Sequence, residues 1–205
     1  WDLGVSLDII DNERASKVSG AGFTYIKGDL ALLQLALVSL VLEALTKEET
    51  IKEIVSDFKL TVSSKPFIPI IPPILIKPQA FQAMARLEPR EERYFVDKDN
   101  LFLIGSAEHT MGAMHMDEIL NEKDLPLRYI GYSPAFRREA GSYGKDTKGI
   151  LRMHQFDKAE MESFCLPEAS YQEQDLFVAI QEYLMQKLEL PYRVVIICTG
   201  DMGGP

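Results

Sequence analysis

The chain has 205 residues, with 22 Lys and Arg against 31 Asp and Glu, a net charge of −9 and a hydrophobic fraction of 46%. These figures exclude a disordered or collagen-like chain; at this length roughly 70% of the unfolded surface is buried, enough for one core without disulfides or metal. The acidic balance argues against a non-specific nucleic-acid or membrane binder, because both partners are polyanionic surfaces.

Trp1-Asp2 opens the chain without the basic and apolar regions of a signal peptide. Residues 7–18 read as a helix stopped by Gly20, and 23–27 as a short strand. The apolar run 30–45 is interrupted by Gln34, Ser39 and Glu43 and falls short of the about 20 residues a membrane span needs. It reads as a buried helix capped by Asp29, so no membrane partner is expected and the setting is cytoplasmic. Cys165 and Cys198 form no CxxC pair, which suits a reducing compartment.

Residues 67–77, FIPIIPPILIK, place Pro69, Pro72 and Pro73 among branched apolar residues, which excludes a helix and suits an edge or interface segment. Residues 96–99 and 101–104 read as a hairpin, 108–120 and 168–188 as helices, and 194–198 as an apolar strand. Two longer extended stretches, 129–139 and 151–164, enclose a glycine-rich loop. Strands joined by a tight loop pair antiparallel, so the fold class is α+β, a mainly antiparallel sheet flanked by helices. Neither G-x-G-x-x-G nor G-x-x-x-x-G-K-[ST] occurs, which leaves the common nucleotide folds without support.

The chemistry concentrates on the two long strands. Alternation places Ser133, Ala135, Arg137 and Glu139 on one face of the first, and Arg152, His154, Phe156, Lys158 and Glu160 on one face of the second. Residues 152–160 span about 26 Å, room for a nucleotide triphosphate beside a small amino acid. Arginine grips phosphate or carboxylate as a fork, Phe156 offers a stacking surface, and Glu160 or Glu108 offers a partner for an ammonium. A solvated strand face laced by cross-strand salt bridges accounts for the same alternation. His109 and His115 lack metal-ligand spacing and read as structural, while Met111, Met114, Met116 and Met153 read as core filling.

FRREAG at 136–141, followed by GKDTKGILRMHQFDKAE at 144–160, closely resembles the second signature motif of seryl-tRNA synthetases, class II aminoacyl-tRNA synthetases. The likeness covers nearly the whole chain. Residues 1–11 resemble the opening of that catalytic domain, 67–77 its proline-containing first motif, Gly105-Ser106-Ala107-Glu108 its serine-binding TxE segment, and 199–203 the approach to a further active-site strand.

The resemblance implies a class II synthetase catalytic domain over residues 1–205, lacking the family's N-terminal coiled-coil arm and its C-terminal third motif. It implies ATP- and Mg²⁺-dependent activation of serine and transfer to the 3′ end of tRNA(Ser), by a homodimer joined through 67–77. Arg137 would bridge the serine carboxylate and the α-phosphate, and Arg152 would hold the γ-phosphate. Glu139 would meet the adenine amino group and Phe156 would stack on the ring. Ser106, Ala107, Glu108 and Glu160 would form the serine subsite. The loop 141–149 would approach tRNA, and the metal ligands are expected beyond Pro205. Ser106 stands where the family usually has Thr, which keeps the hydroxyl. Rival readings are a ligase of the same fold that loads a carrier protein, and a non-catalytic paralogue retained for dimerisation or regulation.

Overall fold

A computed structural model of the chain describes residues 1–139 and 150–202. The elements in order are α1 (Asp2–Ser6), β1 (Ile10–Asp11), α2 (Asn12–Ser19), β2 (Tyr25–Ile26), α3 (Asp29–Thr46), α4 (Glu48–Asp57), β3 (Ile68–Ile70), β4 (Leu75–Ile76), α5 (Pro78–Ala83), β5 (Phe95–Val96), β6 (Leu101–Leu103), α6 (Glu108–Met111), β7 (Leu127–Phe136), β8 (Gln155–Phe164) and α7 (Ser170–Lys187). The expected α+β class holds.

β7 and β8 form the backbone of the site. They pair antiparallel over their full lengths, from Leu127↔Phe164 to Phe136↔Gln155, and the ladder continues through Arg137 N–H donating to His154 O at 3.0 Å. β3 adds to the other edge of β7 in parallel. β4 and β5 flank β6, both antiparallel. The proline segment thus supplies an edge strand to each of two sheets, where a missing N–H costs no ladder bond. Phe136 N–H bonds Ile104 O at 2.8 Å and joins the second sheet to the end of β7.

The largest core cluster packs Leu45, Ile51, Ile54, Phe67, Ile130, Leu176 and Ile180, so α3, α4 and α7 cover the sheet of β3, β7 and β8. Beneath α6 the sheet is thin. A Cβ at Gly131 would lie 2.1 Å from Met111 Sδ, so the glycine makes room for the buried Met111 side chain against β7.

Several expectations are corrected. Residues 7–18 do not form one helix: the chain turns at Asp8 (φ 53°), and Ile10–Asp11 pair with Tyr25–Ile26, an exchange of helical bonds for cross-strand ones. α2 then starts at Asn12, capped by Asp11, whose carboxylate accepts from Arg14 N–H at 2.9 Å. α3 takes Gly28, not Asp29, as its N-cap. Nor is α3 buried: only Ala44 and Leu45 are, while Leu32, Leu33, Leu35 and Leu37 are exposed. By length and composition alone it is apolar enough to cross a membrane. Its middle is tied inward through Gln34, whose amide donates to Asp157; Tyr132 Oη donates to the same carboxylate at 3.0 Å. The helix expected over 108–120 stops at Met111 and continues as turns, with Asp117 at φ 63°. Residues 194–198 have no strand partner among the described residues, and Ile196 is fully exposed.

Candidate active site

A cleft of about 700 Å³ opens where the ends of β7 and β8 meet the turn between β6 and α6. It is lined by Ser106, Glu108, Arg137, Glu139, Arg152 and Phe156, each singled out from the sequence. Small residues make room for them. Gly131, Ser133 and Ala135 are buried and lie in register opposite Glu160, Lys158 and Phe156, so the larger side chains of β8 stand over a low floor.

Arg137 donates from Nε to Gly105 O at 3.0 Å, its one side-chain hydrogen bond among the described residues. Its guanidinium carbon lies 5.2 Å from the centre of the Phe156 ring, a cation–π contact that fixes both groups. Arg152 Nη1 donates to Glu139 Oε2 at 3.1 Å, so these two residues from opposite strand ends meet across the cleft mouth. Glu139 itself is at φ 50°, the left-handed region, where the chain leaves β7.

The floor near α6 is a polar knot. Ser106, 2% exposed, donates to Glu160 Oε2 and accepts from Glu108 N–H at 3.2 Å. Lys158 Nζ donates to Ser106 Oγ at 3.2 Å and is ion-paired with Glu160. Glu108 accepts from Arg86 Nε and Nη2 at 3.0 and 2.8 Å. Glu162, the next residue on this face of β8, is pushed up to about 7 by burial and by the charges of Glu108 and Glu160, with Arg86 opposing. His109 is buried and pulled down to about 4, chiefly by burial; its Nδ1 accepts from Gly105 N–H at 3.2 Å, which requires the uncharged ring.

Two singled-out residues sit elsewhere. Ala107 is fully buried with Met111 and Tyr129, so its side chain belongs to the core. His154 precedes β8 and loses the strand alternation: its ring packs on Phe23 and Tyr94, and its Nδ1 lies 3.0 Å from Arg137 O. The loop 141–149 lies outside the described residues. The sequence reading missed Arg86 and Arg93, which line the cleft from the α5–β5 connection. Burial pulls the Arg93 guanidinium below its ordinary value. Their signal is weak, because RLEPREER reads as a solvated charged loop.

A cleft rich in guanidinium groups, with an aromatic ring at one end and a hydroxyl–carboxylate pair at the other, is suited to an anionic nucleotide beside a small ammonium compound. Residues 93–204 match the family model described as the tRNA synthetase class II core domain (G, H, P, S and T). The chain belongs to the class II tRNA synthetase core family. It is 43% identical over 204 residues to a serine–tRNA ligase from Thermotoga petrophila, covering 99% of this chain and 44% of that protein. Among solved structures, the seryl-tRNA synthetase of Pyrococcus horikoshii complexed with ATP superposes with a TM-score of 0.84 at 41% identity, covering 98% of this chain and 42% of that one. The cytoplasmic serine–tRNA ligase of Naegleria fowleri in complex with AMP gives 0.78 at 28% identity, with 98% and 44% covered. This class II core therefore spans less than half the length of the relatives it matches.

Proposed function

We propose that this class II core is the amino-acid-activating part of a serine–tRNA ligase, which condenses serine with ATP to seryl-adenylate and transfers the seryl group to the 3′ end of tRNA(Ser). One observation carries the reading: Arg137 and Arg152 line one cleft with Phe156, Ser106 and Glu108, and Ser106 donates onward to Glu160, in a chain similar to serine–tRNA ligases over nearly all its length.

In the proposed step, a serine carboxylate oxygen attacks the α-phosphorus and forms the mixed anhydride, while the bond to the bridging oxygen breaks and releases pyrophosphate. The attacking carboxylate is already ionised at neutral pH, so no protein base is required. The obstacle is the approach of two anions. Arg137 is assigned to bridge carboxylate and α-phosphate, and Arg152 to the γ-phosphate, which lowers that repulsion by preorganised charge. Phe156 stacks on adenine and Glu139 accepts from its amino group. Ser106, Glu108 and Glu160 take the ammonium and hydroxyl of serine.

Mg²⁺ is assigned from the resemblance: among the described residues no group of three His, Cys, Asp or Glu side chains could hold a metal ion. We assign a homodimer contact to residues 67–77, where Ile68 on β3, Leu75 on β4 and Ile71 between them are exposed, together with the uncovered leucines of α3. The tRNA contact is assigned to the loop 141–149 and to parts of the enzyme outside residues 1–205, and the setting to the cytoplasm.

Serine-dependent exchange of labelled pyrophosphate into ATP by the full-length protein tests the reading. Arg137→Ala abolishes exchange while the protein stays folded; exchange that persists unchanged in this variant refutes the site.

A further inference from the structure

The two carboxylates assigned to the serine ammonium are neutralised in different ways. Glu108 meets a guanidinium, with Arg86 Nε and Nη2 on the same oxygen. Glu160 meets an ammonium, because Lys158 lies two residues before it on the same face of β8 and reaches both the Glu160 carboxylate and Ser106 Oγ. A primary alkylammonium therefore already sits between the hydroxyl and the carboxylate that the proposed reading gives to the substrate's own ammonium. The two groups are chemically equivalent, compact and with three donors each, whereas the planar guanidinium of Arg86 is not.

We infer that Lys158 is a placeholder cation, which holds Ser106 and Glu160 when no amino acid is bound, gives way to the incoming ammonium, and so sets the affinity for the amino acid. The inference rests on the amino-acid-activating reading above. Two further features fit it. Burial first, and then the charges of Glu108 and Glu160, hold the Glu162 carboxyl above its ordinary value, so withdrawal of Lys158 leaves this floor with an excess of acidic groups. The displaced side chain also has somewhere to go. Its partner in register is Ser133, whose hydroxyl is buried without a hydrogen-bond partner among the described residues, and the lysine side chain is 32% exposed to water. Exchange of one ammonium for another conserves the local charge. A substrate without a primary ammonium has nothing with which to displace the lysine.

The test compares Lys158→Met, Lys158→Gln and Lys158→Arg with the wild type in the full-length enzyme, by the serine KM in pyrophosphate exchange. Removal of the competitor lowers the serine KM about fivefold in the Met and Gln variants, near 1 kcal/mol at 1.4 kcal/mol per tenfold, with the ATP KM unchanged. Lys158→Arg retains the charge in a group that is harder to displace, and raises the serine KM. A serine KM that is unchanged or raised in both neutral variants overturns the inference, and a rise makes Lys158 a ligand of the substrate. If the neutral variants do not fold, the Arg variant decides: a serine KM at or below the wild-type value overturns the inference. Wild-type exchange with a different amino acid defeats the serine reading alone, and the same KM comparison is then made with that amino acid.

Discussion

Arg128 lies near the start of β7 and Arg137 directly follows its end, and the two live in opposite environments. Arg128 is 1% exposed, and every part of its fork is occupied: Nε and Nη2 donate to the carboxylate of Glu173 at 2.7 and 2.6 Å, and Nη1 to Ser63 O and Lys65 O at 2.9 and 2.7 Å. Ser163, its partner in register on β8, donates to the same carboxylate at 2.7 Å. Arg137 sits in an open cleft, donates to one carbonyl, and rests against an aromatic face. A saturated guanidinium fastens chain segments to one another. One with donors to spare recognises something from outside. The two share residue type and bracket the same strand, so the difference lies in how many acceptors the fold has aimed at each.

Breaking the first arginine should unfold the protein without altering chemistry. Arg128→Met strands Glu173 as a buried unpaired carboxylate and costs about 3–5 kcal/mol in urea denaturation, whereas pairing it with Glu173→Leu restores most of the loss. The substrate KM values of the folded fraction stay at wild type. Changing the second should do the reverse. Arg137→Lys keeps the charge but loses the planar fork, and lowers kcat/KM for serine-dependent exchange about 100-fold, near 2.7 kcal/mol, with an unchanged urea midpoint.

The cleft floor sharpens the contrast through pH. Folded Glu162 holds its proton up to about 7, above its ordinary 4.5, so the folded state binds a proton that the unfolded chain releases. Its stabilising contribution is complete below about 4.5 and is lost as pH rises toward 7. Glu162→Gln removes that decline from the urea-derived stability profile. His109 acts with the opposite sign. Its folded value near 4 lies below the ordinary 6.5, so its contribution is present above 6.5 and is lost as pH falls toward 4. His109→Gln flattens this acid limb, a smaller effect than either arginine substitution.

Much of the site was legible because strand alternation is a strict geometric rule. Phe156, Lys158 and Glu160 share a face of β8 as their period of two requires, and small residues at 131, 133 and 135 face them in register. The rule failed where the strand had not begun. Arg152 and His154 precede Gln155, and His154 follows the packing of Phe23 and Tyr94 instead of parity. The apolar run of α3 was readable as a helix but not as a buried one, because hydrophobicity demands a cover without naming which surface provides it. Local pattern also could not see Arg86 and Glu173, whose roles depend on partners 22 and 45 residues away. The run 194–198 shows the same limit, since alternation cannot supply the neighbour that a strand needs.

The Gln34–Asp157–Tyr132 junction ties the outward-facing helix to the β7–β8 ribbon. Asp157 is the peptide neighbour of Phe156, so one amide–carboxylate link joins α3 to the segment that presents the aromatic ring. A cover over those leucines would therefore bear, through this link, on the strand that carries Phe156 into the cleft.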